Sequence, residues 1–277
     1  MRWSMRLTVP EVSPGFWREA HQALAETDPV AKCDRVERLW ASVTSGDWHP
    51  SCPGEPGILA CGRPGRPKLV HPSRLPKRGL GTLEGRQALV HSVAHIEFNA
   101  INLGLDAALR FAGMPDDYYR DWLSVAADEA RHFSMLSRRL AELGVAYGDF
   151  SAHNGLWDMA EQTAHDPLIR MALVPRVLEA RGLDVTPGMI ERLNNAGDDR
   201  TVALLEVILE EEEAHVLIGT RWFRHLCQER NMEPDSTFEN LLVRYFNGKM
   251  RGPFNVPARR RAGFTEPELQ NLEAMGG

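Results

Sequence analysis

The sequence predicts an all-α protein organised around a four-helix bundle, and three observations carry the prediction. From Leu83 to Arg230 apolar residues recur at helical spacing. Turn residues divide that stretch into four long segments, at about 83–112, 116–143, 155–184 and 199–229. Between the second and third segments runs a longer connection, from Val145 to about Asn154, with little helical pattern.

Taken in order, Ser13 to Ser45 reads as one or two amphipathic helices broken at Asp28-Pro29. Residues 46–82 differ in texture: seven prolines and seven glycines with little periodicity make an extended arm, whose Trp48 and leucines imply packing on the rest of the chain. The second half of the arm is basic, with Arg63, Arg66, Lys68, Arg74, Lys77, Arg78 and Arg86 opposed only by Glu84. Gly113-Met114-Pro115 separates the first two bundle helices, with Pro115 suited to a helix start, and Gly144 ends the second. Leu183 to Asp199 joins the third and fourth, with a short helical piece, MIERLNN, inside it. Two hairpins joined by one long crossover is ferritin-like connectivity. The tail reads as a short helix followed by irregular structure. The expected divisions are 1–82 for the N-terminal helices and arm, 83–230 for the bundle, and 231–277 for the C-terminal extension.

At 277 residues the chain can bury a substantial core without disulfides or a structural metal. Its apolar and charged fractions, 43% and 25%, are those of a soluble globular protein. The formal net charge of -6 gives no global reason to expect nucleic acid or membrane partners. Cys33, Cys52, Cys61 and Cys227 form no CxxC pair and no zinc spacing, so they read as reduced structural thiols. With no apolar signal segment and no run long enough to span a bilayer, a cytoplasmic location is expected.

Each predicted bundle helix carries an acidic residue inside an apolar stripe. Glu97 shares a face with Val90, Val93, Ala94 and Ile101; Glu129 and His132 share one with Trp122, Val125, Phe133 and Leu136. The fourth helix repeats this pattern, with Glu212 and His215 among Leu205, Ile208, Val216 and Trp222. The third is less regular, but Leu168, Met171, Ala172 and Pro175 put Glu179 on the inner face. Glu97 and Glu129 are 32 residues apart and Glu179 and Glu212 33 apart, separations that return a helical hairpin to the same height. Four ionised carboxylates cannot converge in an apolar interior without compensating cations. Two divalent metals would match their charge, with His132 and His215 completing the ligand set. A lone Glu from each of two helices and Glu-x-x-His from each of the other two is the pattern of di-iron and di-manganese bundles.

A metal-free bundle in which Glu-Arg or Glu-His pairs satisfy the carboxylates, with Arg131 and Arg176 near enough to serve, is the competing structural reading. Within Glu210-Glu211-Glu212-Glu213, Glu211 rivals Glu212 as the ligand because it lies four residues before His215. His91, His95, Asn99, Asn102 and Asp106 form a second, polar stripe on the first helix. It reads as a face covered by the arm or a partner subunit, or as a network behind the ligands, for which Asp106, Asp128 and Asp158 are candidates. His153, Trp157 and Asp158 open the third helix as capping and packing residues.

The segments HSVAHIEFNAINLGLDAALRF, DEARHFSMLSRRLAELG, HNGLWDMAEQTAHDPLIRMALVPRVLEARGLDVTP and EEEAHVLIGTRWF, with GPFN at Gly252–Asn255, resemble an uncharacterised bacterial ferritin-like family classed under a domain of unknown function. The resemblance covers most of the chain and implies a diiron-type bundle without an established reaction. The fold and ligand pattern are more distantly similar to those of the tRNA-modifying non-haem diiron hydroxylases.

Carboxylate-rich shells with one histidine per metal suit two Fe ions first, with Mn or a mixed Mn/Fe pair as the alternative. Six ligands leave open coordination positions, so the expected activity is a dioxygen-activating hydroxylase or oxidase. Its partners would be dioxygen or peroxide, an unknown substrate and an external electron donor, and a homodimer stays open. The arm at 46–82 is then a candidate wall of the substrate channel. Metal handling or peroxide detoxification, an RNA-modifying hydroxylase supported by the basic arm, and a metal-free interaction protein are the competing functions. The basic arm and Arg259-Arg260-Arg261 read as an anionic-substrate surface or as charges paired with the acidic bundle.

Overall fold

The computed structural model of the chain describes residues 14–46 and 61–276. Trp48, Cys52 and the first half of the Pro/Gly-rich arm lie outside the described residues. Among those described, regular structure is helical apart from an isolated bridge between Leu69 and Ala152. The protein is therefore all-α. Among the described residues, no helix is long and apolar enough to cross a membrane.

Local chemistry sets the helix starts. The Asp28 carboxylate accepts from the Ala31 N–H (2.9 Å), so Asp28-Pro29 separates α1 (Pro14–Ala25) from α2 (Pro29–Thr44). Thr82 caps α3 (Leu83–Arg110) by accepting from Gly85 N–H at 3.1 Å. Asp198 does the same for α8 (Asp199–Glu229), accepting from Thr201 N–H at 3.1 Å. Pro115 precedes α4 (Asp116–Glu142), which ends at Gly144, a left-handed residue with φ of 82°. These three long helices end within two residues of the predicted bounds.

The third predicted helix is broken, and the prediction of one segment over 155–184 is corrected here. It comprises α5 (Gly155–Gln162), a turn, α6 (Pro167–Leu173), a π-helical stretch from Val174 to Glu179, and α7 (Ala180–Asn195). Asp166 restarts the helix by accepting from Leu168 N–H at 2.8 Å, with Pro167 in the first turn. Pro175 has no N–H for the α-helical ladder, and the chain widens into π geometry around it. Residues 183–195, expected as a connection, are helical despite Pro187. Pro187 withdraws the donor that Leu183 carbonyl would otherwise have four residues on, and the Asn255 side chain supplies one instead at 3.1 Å.

In the packing, α3 lies along α4, α8 against α4, α6, the π stretch and α7, while α1 and α2 cover α3 and α4. Pro175 sits directly on Gly219 of α8: a Cβ at 219 would come within 2.4 Å of the Pro175 ring. Lys32, fully buried, ties α2 to α1 and α3 by donating to Ala23 O, Leu24 O and Asn102 Oδ1 at 2.8–2.9 Å.

The C-terminal region is also more regular than expected, and the prediction of irregular structure after one short helix is corrected. It holds α9 (Pro234–Phe246), α10 (Val256–Arg261) and α11 (Glu266–Met275). Short helices are marginal alone. Here a capping box between Thr265 and Glu268 starts α11, and buried Phe238 and Phe264 seat the region against Phe223 of α8.

Candidate metal centre

Glu97, Glu129, His132, Glu179, Glu212 and His215 are all buried. Two ligand-type triads form among them: Glu97 with Glu129 and His132, and Glu129 with Glu212 and His215, the donor atoms of each within 4.8 Å of one another. Glu129 is common to both. His132 Nδ1 faces Glu97 at 3.3 Å and Glu129 at 3.5 Å, and His215 Nδ1 faces Glu129 at 3.0 Å and Glu212 at 3.3 Å. Glu179 belongs to neither triad but lines the same cavity.

The other imidazole nitrogens point outward, each to a carboxylate. His132 Nε2 lies 2.5 Å from Glu211, and His215 Nε2 lies 3.3 Å from Asp128. Arg131 bridges the two acids, 3.1 Å from Asp128 and in close contact with Glu211. These contacts separate the two neighbours on α8: Glu212 faces inward, whereas Glu211 is the outward partner of His132. Of the acids expected behind the ligands only Asp128 is there; Asp106 pairs with Arg110 and Arg170, and Asp158 accepts from Asn154. Glu211 was missed in that role because its sequence signal, adjacency to Glu212, reads equally as a rival ligand.

The nearby arginines do not neutralise the cluster. Arg176 pairs with Glu268 at 2.6 Å, Arg170 with Asp106 at 2.6 Å, and Arg181 donates to the carbonyls of Arg251, Gly252 and Pro253. The cluster's charges act chiefly on one another. Burial, with Glu129 adding repulsion, raises the Glu97 carboxyl well above the ordinary carboxylate range. Burial, then Glu212 and Glu129, does the same to Glu179, and burial raises Glu212. Burial would also raise Glu129, but its neighbours Glu97, His132 and His215 outweigh it and hold that carboxyl well below. Burial opposes charge on His132, but Glu129 and Glu97 outweigh it and push the imidazole up to about 11. His215 is likewise raised, with Asp128, Glu129 and Glu212 overcoming burial. Even so, both Glu179 oxygens, Glu129 Oε2 and His132 Nδ1 are buried without a hydrogen-bond partner. Buried orphan donors and acceptors are costly. Glu129 Oε2 and His132 Nδ1 lie 3.5 Å apart in one triad and the Glu179 oxygens face the adjoining cavity; these are atoms a cation would satisfy, so the residues fit a metal pair.

A cavity of about 130 Å³ adjoins the cluster. It touches Glu97, Glu129, Glu179 and Glu212 but neither histidine. No described residue of the arm lines it, so the expectation of residues 46–82 as a channel wall is corrected for 61–82. That part of the arm runs elsewhere: Gly62 N–H bonds Leu24 O, and Val70 N–H bonds Ala152 O. The polar stripe of α3 is buried as well. His91 accepts from Gly148 N–H, His95 contacts Tyr147 OH and His153 O, and Asn102 accepts from Lys32. Its cover comes mainly from the 145–154 connection and α2. At the start of α5, His153 accepts from Gly155 N–H and Trp157 donates to Glu161, as capping and packing residues do.

Residues 25–270 match the model of a family described as protein of unknown function (DUF455). The chain belongs to this family. An uncharacterized protein of Haemophilus influenzae (strain ATCC 51907 / DSM 11121 / KW20 / Rd) is 43% identical over 267 residues, 92% of each chain. No solved structure matches the chain. All six candidate ligands, and both acids behind the histidines, lie inside the part matched by the DUF455 model.

Proposed function

We propose that this DUF455 protein is a ferritin-like four-helix bundle holding two metal ions and acting as a dioxygen-dependent oxidoreductase. The bundle would comprise residues 83–230, with 1–82 and 231–277 as appendages. The observation that carries the reading is Glu129: one buried carboxylate shared by two Glu/His triads. A bridging carboxylate is what a dinuclear centre needs and what two separate structural ion pairs do not.

Glu97 and His132 would hold one ion, Glu212 and His215 the other, with Glu129 between them and Glu179 joining from the third helix. The oxygen-ligand excess favours iron over zinc, with manganese the alternative. When bound, the pair would supply the redox chemistry that lets dioxygen oxidise or hydroxylate a substrate. The chain's own residues do the rest. Glu211 and Asp128 accept from the outward Nε2–H groups, which fixes each ring with Nδ1 inward. Protons held on Glu97 and Glu179 would leave as metal is taken up, and the apolar walls limit the water beside the carboxylates.

Metal handling or peroxide detoxification is the alternative, and the apolar cavity beside the carboxylates favours an organic substrate over it. The RNA-modifying reading loses local support, because much of the basic sequence is committed internally. Arg63 bonds Asn154, Arg78 pairs with Glu84, and Arg259, Arg260 and Arg261 pair with Asp184, Glu266 and Glu213. Metal analysis of protein prepared anaerobically, followed by dioxygen uptake on reoxidation, tests the proposal. Two iron or manganese ions per chain with metal-dependent dioxygen consumption is the expected result; a chain that takes up neither metal overturns it.

A further inference from the structure

The cavity that meets the carboxylate cluster is asymmetric. It lies on the glutamate side, away from the two histidines, and its remaining wall is nearly all hydrocarbon. Val93 and Ala100 come from α3, Leu178 from the π stretch, Met189 from α7, and Leu205 and Ile208 from α8. Gly182, with no side chain, leaves the floor open next to Glu212: a Cβ there would sit 3.7 Å from Glu212 Cγ, in ordinary contact. Ile96 in its lining is 43% exposed although it is a large hydrophobe, so the cavity meets the surface there.

Apart from the glutamates, only Thr186 and Arg181 bring polar side chains to the lining. Arg181 is not free to receive an anion. Its guanidinium donates to three consecutive carbonyls, at 2.8 Å to Arg251, 3.2 Å to Gly252 and 3.0 Å to Pro253, and lies 3.6 Å from Asp184. A cationic ligand finds carboxylates only at the cluster itself, where it would compete with the metals.

We infer that this cavity receives the substrate of the proposed centre, and that the group it takes is uncharged, apolar and about the size of a benzene ring. The inference rests on the reading of the cluster as a metal centre for the word substrate and for the exclusion of cations; size and the exclusion of anions follow from the cavity wall. Size is set by volume: the cavity is about 130 Å³, and an apolar cavity of about 150 Å³ binds benzene. Anions are disfavoured by desolvation, since the one cation in the wall, Arg181, is already paired; cations are disfavoured once the metals occupy the carboxylates.

The test uses the full-length chain, both metal-free and loaded anaerobically with Fe(II), titrated with benzene, benzoate and benzylamine by ligand-observed NMR. Saturable binding of one benzene per chain, with benzoate at least tenfold weaker in both forms and benzylamine at least tenfold weaker in the loaded form, is the expected result. Gly182→Leu and Ala100→Leu, which fill the cavity from α7 and from α3, should each weaken benzene binding at least tenfold. Thermal unfolding shows which of the two variants is folded, and a folded one decides. Benzoate binding as tightly as benzene, benzylamine doing so in the loaded chain, no saturable benzene binding, or full benzene affinity in a folded filled variant overturns the inference. A chain that takes up no metal yet binds benzene at least tenfold more tightly than benzoate removes the oxidoreductase reading and leaves the cavity's preference for an uncharged ring over an anion standing. Metal uptake without benzene binding does the reverse.

Discussion

The guanidinium of Arg176 lies 2.6 Å from the carboxylate of Glu268, both fully buried, and joins the C-terminal helix α11 to the π stretch that ends in Glu179. Its charge is enclosed by three rings, with Phe223, Phe238 and Phe264 at 4.6, 4.1 and 4.6 Å from the guanidinium carbon. Burial depresses Arg176, and Glu268 restores part of the loss. Glu268→Ala leaves that charge unpaired and should cost roughly 3–5 kcal/mol of stability. Urea unfolding measures it. Arg260→Ala, which breaks an exposed pair with Glu266, should leave the midpoint unchanged and serves as the control.

On α8 the inward and outward glutamates should separate by metal stoichiometry. Glu212→Ala should lower metal content, and Glu210→Ala, exposed and outside both triads, should not. Glu211→Gln and Asp128→Asn keep the ligands but weaken the acceptors behind His132 and His215, so affinity should fall by about 10–100-fold with stoichiometry preserved. Metal analysis combined with competition against a chelator distinguishes these outcomes. Loss of binding in Glu211→Gln with full binding in Glu212→Ala would mean that the inward and outward roles are reversed.

Most of this centre could be read from the sequence because its residues obey helical periodicity. Glu97, Glu129, His132, Glu212 and His215 sit on continuous α-helices, where three- and four-residue spacing fixes which side chains share a face. Glu179 sits at the end of a π stretch, and π geometry breaks that rule. Spacing therefore puts Glu179 near the cluster, beside Glu212 and Glu129, without putting it in either triad. The breaks in the third helix come from Asp166-Pro167 and Pro175, visible as residues, but their outcome depends on partners elsewhere. Asn255 repairs the carbonyl left by Pro187, and Gly219 makes room for Pro175. The C-terminal helices escaped the sequence reading for the same reason: their stability lies in tertiary anchors at Arg176 and Asp184, not in their own periodicity.

Gly219→Ala tests the closest of those contacts. Its Cβ would meet the Pro175 ring at 2.4 Å, so α8 and the third helix must separate, at about 1–3 kcal/mol. Because the π stretch carries Glu179, metal affinity should fall with stability. Gly182→Ala, which meets only ordinary contacts, should do neither. Chemical denaturation of both variants, paired with metal analysis, checks this.

Acid should weaken the fold through α3. Burial pushes His91 and His95 down to about 4, whereas in the unfolded chain they titrate near about 6.5. Between these values the unfolded chain takes up protons that the folded chain refuses. Their effect is therefore a loss of stability as pH falls from about 6.5 to about 4, with no further change from these groups below that. Replacing His95 with Gln should flatten the slope of melting temperature against pH in that window relative to the parent chain. An unchanged slope would assign the acid sensitivity elsewhere.

The membership of Glu129 in both triads makes the two proposed ions thermodynamically interdependent. Filling one position alters affinity at the other, and by linkage the factor is the same in both directions. A titration should therefore depart from two independent, equivalent sites. Substitutions at Glu97 or His132 should leave a protein able to hold the ion at Glu212 and His215, and the reverse should hold for the other side. Substitution at Glu129 has no such half-occupied outcome, because it removes the one carboxylate that each position borrows from the other.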